Sequence, residues 1–334
     1  MSNPNQAALD YCGVSAWHDA GYTGKLGLSA TGEQFDPKGT ELEGFVEEPF
    51  KGLYDNQLEE GHAYQTTYIH HLFAPERTIV QLPYSLDDFK RFSVGYIQKN
   101  NVDTMFLSVS SKVNGRAYDE VLNGLPHLSF FSAAGNYGGE KFNQLLYAEG
   151  IYGVGAVEVP SMKLPAYSSE SNEVDFCGPT GLRVYYANGA SVVFQGTSCA
   201  TPALAGMAAC INHLFIEKTG KALRREKMYQ FLKDCCRDLG SAGKDPKTGW
   251  GLPILPKPEE VDIQNYIEGE NAMFTDIEGH WAKSVIEEVV KVGLMNGFPD
   301  NTFRPDEPLT RAQAAQMIKN VTEYMLADID SRMI

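Results

Sequence analysis

The residues Phe194-Gln195-Gly196-Thr197-Ser198-Cys199-Ala200-Thr201-Pro202 place one hydroxyl at the mouth of a helix of small and apolar residues, which continues as Ala203-Leu204-Ala205-Gly206-Met207-Ala208-Ala209-Cys210. A helix N-terminus offers unpaired backbone N–H groups and the positive end of the helix dipole, so negative charge developing beside Ser198 is favoured there. Gly196 lets the backbone approach a ligand with no side chain in the way. Pro202 is expected in the first turn, where its missing N–H costs nothing. A plain N-cap is the ordinary role of a serine before a helix, but a serine this close to so many small residues is less common.

The nine-residue string resembles the nucleophile motif of the subtilisin-like serine peptidases. Upstream, Leu128-Ser129-Phe130-Phe131-Ser132-Ala133-Ala134-Gly135-Asn136-Tyr137-Gly138 reads as a short apolar strand ending in small residues and an amide. It is similar to the family's strand and loop that carry the oxyanion-hole asparagine, a role the resemblance gives to Asn136. Taken alone, Asn-Tyr-Gly would read as a turn. Gly153-Val154-Gly155-Ala156-Val157, Ala166-Tyr167-Ser168-Ser169 and Val174-Asp175-Phe176-Cys177-Gly178-Pro179 follow in the family's order, and Gly249-Trp250-Gly251 resembles its closing Gly-x-Gly. The resemblance spans roughly residues 10 to 255. It implies an α/β fold with a subtilisin-like parallel sheet flanked by helices.

For the base, Gly61-His62-Ala63-Tyr64 begins a stretch that resembles the family's histidine helix and runs on into the strand Thr78-Ile79-Val80-Gln81-Leu82-Pro83. His62 takes the catalytic position, with Ala63-Tyr64 where Gly-Thr is usual. His70 and His71 lie two turns further along. His18, His127, His213 and His280 match no catalytic context and read as surface or packing residues. The calcium loop that many relatives insert into this helix is missing, because Ala74-Pro75 follows at once.

The acid is the exception. Leu26-Gly27-Leu28-Ser29-Ala30-Thr31-Gly32 resembles the strand ending in Asp-(Thr/Ser)-Gly, and the match puts Ala30 at the aspartate position. Ala30 lies 32 residues before His62, the acid-to-histidine spacing of subtilisin. Alanine cannot accept the imidazole N–H. The chain is then a natural pseudo-peptidase, a deliberately inactivated variant, or one in which Glu33 or Asp36 reaches the histidine; loss of the acid ranks above replacement by Glu33. Removing the aspartate of subtilisin costs about four orders of magnitude in turnover, less than removing its serine or histidine. A Ser198–His62 pair with Asn136 is therefore expected to keep residual activity.

Val102-Asp103-Thr104-Met105-Phe106-Leu107-Ser108-Val109-Ser110-Ser111 resembles the edge strand that pairs with bound peptide by β-addition. The implied substrate-binding residues are Ser108, Val109, Ser110 and Gly135. Ser110 and Ser111 stand where two glycines are usual, and their side chains are expected to narrow the groove.

With 334 residues the chain exceeds one such domain. Pro253, Pro256 and Pro258 among acidic residues read as a linker. Beyond it, Phe274-Thr275-Asp276-Ile277-Glu278-Gly279-His280-Trp281-Ala282 precedes a helix with Val285, Ile286, Val289 and Val290 at helical spacing. Gly293-Leu294-Met295-Asn296-Gly297, Pro299-Asp300-Asn301-Thr302-Phe303-Arg304-Pro305-Asp306 and Leu309-Thr310-Arg311-Ala312-Gln313 follow, with Thr310 capping a second helix through Ala315, Met317 and Ile318. This resembles an S-layer homology repeat, a family whose sets of repeats bind the secondary polysaccharide of Gram-positive cell walls. Trp281 is expected to pack between the two helices and Arg311 to donate paired hydrogen bonds to a glycan carboxylate. The expected domains are 1–255, a linker 256–272, the repeat 273–326 and a tail 327–334.

A net charge of −15 excludes nucleic-acid or anionic-membrane binding through a basic patch. No apolar run is expected to reach the length of a membrane span. The N-terminus shows neither the basic start nor the apolar core of a signal peptide, and no room is seen for a propeptide. The six cysteines show no disulfide framework; Cys199 reads as a small packing residue. No cofactor and no metal ligand set is legible. The functional expectation is a serine endopeptidase impaired at Ala30, acting on a peptide or protein and tethered to a wall polysaccharide, at a cell surface or on a phage particle. The alternative is an inactive subtilase scaffold serving as a peptide-binding or structural protein.

Overall fold

The computed structural model describes residues 3–52, 60–267, 274–277, 279–298 and 302–332. Pro299, Asp300 and Asn301 of the expected repeat, and Glu278, lie outside the described residues. The chain divides into two units, 1–266 and 267–334.

In the first unit the elements run α1 (Gln6–Tyr11), α2 (Val14–Asp19), β1 (Leu28–Thr31), β2 (Val46–Glu47), α3 (Glu60–Phe73), β3 (Thr78–Gln81), α4 (Leu86–Asp88), α5 (Val94–Asn100), β4 (Val102–Leu107), α6 (Asp119–Asn123), β5 (Ser129–Ala133), β6 (Ile151–Glu158), β7 (Val174–Thr180), β8 (Leu182–Tyr185), β9 (Ser191–Phe194), α7 (Thr197–Thr219), α8 (Arg225–Asp234) and α9 (Gln264–Ile267). Seven strands form one sheet in the order β2-β3-β1-β4-β5-β6-β7, every pair parallel. All residues of β4 and β5 are buried, as expected of parallel strands covered on both faces. β4 is central, so the expected edge strand is corrected: only Ser108–Ser111, beyond the end of β4, is free of the ladder.

α7 crosses the sheet, and every residue from Thr197 to Phe215 is buried. It is long and apolar enough to span a membrane, which corrects the expectation that no segment is; 94% of its apolar window faces protein. α3 packs against it at Gly206, where an added Cβ would stand 2.5 Å from the Phe73 Cβ and 2.9 Å from the His70 carbonyl oxygen. A side chain there would force the two helices apart. Beneath the sheet, Arg77 and Asp103 form a fully buried ion pair. Arg77 Nε donates to Ser29 Oγ at 3.0 Å, and Asn212 Nδ2 donates to Asp103 Oδ1 at 2.8 Å. One network thus ties β1, β4 and α7.

The linker begins later than expected. Pro256 accepts from Trp17 Nε1 at 2.7 Å, and the Tyr266 ring lies 4.9 Å from Phe231, so residues 256–266 pack onto the first unit. In the second unit α10 (Lys283–Lys291) and α11 (Arg311–Arg332) surround a small core of Phe274, Ile277 and Ile286. The helix continues through 327–332, where a tail was expected. Thr310 Oγ1 accepts from Gln313 N at 3.2 Å and Gln313 Oε1 accepts from Thr310 N at 2.9 Å, a capping box in which glutamine serves as well as glutamate. Trp281 is 87% exposed, so it does not pack between the helices; Phe274 and Phe303 fill that interior instead. Arg311 is exposed at the start of α11.

Candidate active site

The candidate site residues come from loops at the C-terminal ends of β1, β4 and β5 and from the first turns of α3 and α7. Gly196 has φ +100°, and a Cβ there would lie 2.9 Å from Asn136 Nδ2, so only glycine admits both the turn and the amide. Asn136 Oδ1 accepts from Thr197 N at 2.8 Å and from Thr197 Oγ1 at 3.1 Å. The first turn of α7 therefore fixes the carboxamide by its oxygen. Gly135 has φ +112°; its N–H donates to Thr197 Oγ1 at 3.2 Å.

Ser198 is the second residue of α7, and its Oγ donates to the Ser108 carbonyl at 3.0 Å. Pro202 is the sixth residue, not in the first turn as expected. Its missing N–H leaves the Ser198 carbonyl without the i+4 donor, and Ser108 Oγ donates to that oxygen at 3.1 Å. The proline thus opens a site at which the 108–111 segment is pinned to the serine.

Against the expectation that the acid is lost, a carboxylate stands on His62. Glu33 Oε1 lies 2.5 Å from His62 Nδ1, and Glu33 Oε2 accepts from Ser108 N at 3.2 Å. Ala30 lies inside β1, in register with Val80 and Met105 and packed in the apolar core. After β1 the chain turns at Gly32, and the glutamate side chain spans the remaining distance. Its loop is held by Gln81, which donates through Nε2 to Phe35 O at 2.9 Å and accepts from Phe35 N at 3.3 Å. Glu33 is wholly buried. With Glu33 at Nδ1, the ring's other nitrogen, Nε2, is the one left to face a substrate. The His62 ring stands edge-on to Phe194, 5.6 Å between centroids. Asp36 is exposed and faces Lys51 at 3.7 Å.

Glu33 links His62 to Ser108, and Ser108 links Glu33 to Ser198, so the structure joins Ser198, His62 and Glu33 in one hydrogen-bonded group with Asn136 at the neighbouring turn. Of the expected groove residues, Val109 is half-buried and its carbonyl accepts from Asn143 Nδ2 at 3.1 Å, while Ser110 is exposed. Asn143 escaped the sequence reading, because nothing around Phe142-Asn143-Gln144 marks it. The Glu33 signal was present: an acid one residue past the motif glycine.

The other histidines differ electrostatically. His70 is fully buried, stacks on Phe106 at 4.8 Å, and finds no hydrogen-bond partner for either nitrogen among the described residues. Burial drives its pKa well below the ordinary value, and that of His71 down to about 4. Cys199 is buried and its thiol is pushed up to about 12 by desolvation, which leaves no thiolate beside Ser198 at neutral pH. Among the described residues no group of three His, Cys, Asp or Glu could hold a metal ion.

Residues 92–251 match the subtilase family model and residues 274–315 the S-layer homology domain. The chain is 29% identical over 184 residues to the minor extracellular protease Epr of Bacillus subtilis, covering 52% of this chain and 26% of that protein. It is 46% identical over 48 residues to a cellulosome-anchoring protein of Acetivibrio thermocellus, covering 14% of this chain and 11% of that one. It spans no more than 26% of the length of these curated relatives. The crystal structure of a lanthipeptide protease superposes with a TM-score of 0.63 at 19% identity, over 77% of this chain and 96% of that one, a likeness of fold. Residues 92–251 are thus subtilase-like, in a unit with the fold of that protease, and residues 274–315 behind them are similar to an S-layer homology domain.

Proposed function

We propose that the chain is a serine peptidase whose acid is Glu33 rather than a residue at position 30. Ser198 Oγ attacks the peptide carbonyl while His62 Nε2 takes its proton; His62 then returns that proton to the leaving amine. Glu33 accepts the Nδ1 hydrogen, holds the tautomer and offsets the charge of the imidazolium. Asn136 Nδ2 and the Ser198 N–H, which has no intrahelical partner at the second helical position, face the oxyanion. The observation that carries this reading is the 2.5 Å contact between Glu33 and His62. The repeat is proposed to hold the enzyme at a wall polysaccharide, a reading supported by the anchoring role in its relative's name.

Labelling with a fluorophosphonate, which requires an activated serine, tests the peptidase. The wild type is expected to label, Ser198→Ala and His62→Ala not at all, and Glu33→Gln far more slowly. A wild type that neither labels nor cleaves peptides would favour the inactive scaffold, to which Ala30 otherwise points. Retention on purified Gram-positive walls, compared between the full chain and one ending at Tyr266, tests the anchor; equal retention overturns it.

A further inference from the structure

The segments that carry the reacting groups leave the sheet side by side. β4 and β5 are last registered at Leu107 and Ser132. One chain then runs through Ser108 to Ser111 and meets Ser198 Oγ; the other runs through Ala133 to Asn136. The gap between these segments opens beside Ser198 on one side and Asn136 on the other, so on the peptidase reading it is the space open to the side chain of the residue whose carbonyl Ser198 attacks.

That gap is occupied. The Asn143 side chain, 1% exposed, bridges both walls. Its Nδ2 donates to Val109 O at 3.1 Å on one side, and to Ala133 O at 2.9 Å and Ser132 Oγ at 3.2 Å on the other. Its Oδ1 accepts from Ser111 N at 2.9 Å and from Leu145 N at 3.2 Å. The Asn143 backbone N–H donates to Ala134 O at 2.9 Å, so the residue cannot swing away as a unit. Moving the amide would strand buried backbone groups on both sides, and leaving an unpaired buried donor or acceptor is costly. The same bonds keep the walls from spreading.

We infer that Asn143 is the specificity-determining residue of this site, forming a fixed floor that admits only glycine, alanine or serine immediately before the scissile bond. The inference rests on the peptidase reading above. Side chains of Leu, Phe or Lys size meet the amide instead of a pocket.

The test uses the full chain with tetrapeptide substrates that differ only in the residue before the scissile bond, and with peptidyl phosphonates bearing a methyl or a benzyl group there. Wild type is expected to favour Ala over Phe by about 100-fold in kcat/KM, within the range that pocket size commands, and to react with the methyl phosphonate first. Asn143→Gly, checked for folding by its thermal transition, is expected to move the Ala/Phe ratio at least about 10-fold towards Phe. Should that variant not fold, the wild-type ranking decides alone. Equal use of Ala and Phe by wild type, or an unchanged ratio in folded Asn143→Gly, overturns the inference. Fluorophosphonate labelling separates the two readings. If the serine labels but benzyl reacts as fast as methyl, only the floor is refuted; if nothing labels, the peptidase reading falls and takes the floor with it.

Discussion

The first unit and the second differ in where their polar groups sit. In the first, a helix buried from Thr197 to Phe215 runs past an interior ion pair, and the carboxylate on the histidine is itself buried. In the second, the apolar interior is Phe274, Ile277 and Ile286 with partly buried neighbours, and surface hydrogen bonds supply the order. Asp276, for example, accepts from Phe303 N at 2.8 Å and Arg304 N at 2.6 Å. Apolar side chains that a larger core would cover stand open there, including Trp281 at 87% and Ile318 at 63%. The first unit thus keeps its polar contacts inside, and the second keeps them at its surface. Substitutions should therefore act very differently in the two.

The largest effect is expected at Glu33. Glu33→Gln keeps the shape but loses the charge that orients His62, and turnover should fall by about four orders of magnitude, as for loss of the subtilisin aspartate. Steady-state kinetics on a peptide substrate measure it; a fall below tenfold would remove Glu33 from the mechanism. Ala30→Asp should not raise activity, because it puts a carboxylate among Val80, Met105 and Leu107. It should lower the thermal midpoint instead.

Next comes Arg77→Met, which leaves Asp103 buried without its cation and should cost about 3–5 kcal/mol of unfolding free energy in denaturant titrations. No exposed pair in the repeat should approach that; His280 and Asp306, at 3.4 Å with the aspartate 87% exposed, belong to the class worth about 0–1 kcal/mol.

Buried histidines sharpen the contrast through pH. His71 titrates at about 4 in the fold against an ordinary 6.5, and His70 is shifted the same way. The folded state disfavours the proton, so the unfolded chain binds more protons below pH 6.5 and stability falls with pH. The contribution is complete above 6.5 and lost as pH drops through about 4; for His71 it is on the order of 3 kcal/mol. Thermal midpoints between pH 7 and 4 should show this loss, and His71→Phe should reduce it. The smallest effect is expected at Trp281: Trp281→Ala should change stability by no more than about 0.5 kcal/mol. The same variant should alter wall retention if that ring meets glycan.

Much of this was legible from the chain because parallel strands and a buried small-residue helix leave few alternatives. The positions of Ser198 and Asn136 at neighbouring turns were marked by glycines whose backbone the turns require. The contact of Glu33 with His62 was ranked below loss of the acid because motif register fixes a backbone position, whereas a longer side chain on a turned loop can bring a carboxylate to the ring from three residues away. Pro202 was placed a turn too early because the helix starts at Thr197 with glycine, not serine, as its cap. Trp281 was misplaced because a large apolar residue suggests a core, and this core is too small to need it. Asn143 left no trace, since its role comes only from two strands meeting around it.

The contact at Gly206 gives the site a lever geometry. His62 precedes His70 by eight residues on α3, and Ser198 precedes Gly206 by eight on α7, so at a rise of 1.5 Å per residue each reactive group lies about 12 Å from the crossing. The helices act as scissor arms with a glycine at the pivot. A tilt of about 5° there displaces a tip by roughly 1 Å, a misplacement that can cost about a hundredfold in rate. The alignment of His62 with Ser198 is thus governed from the middle of the first unit, by a glycine that lets the blades close.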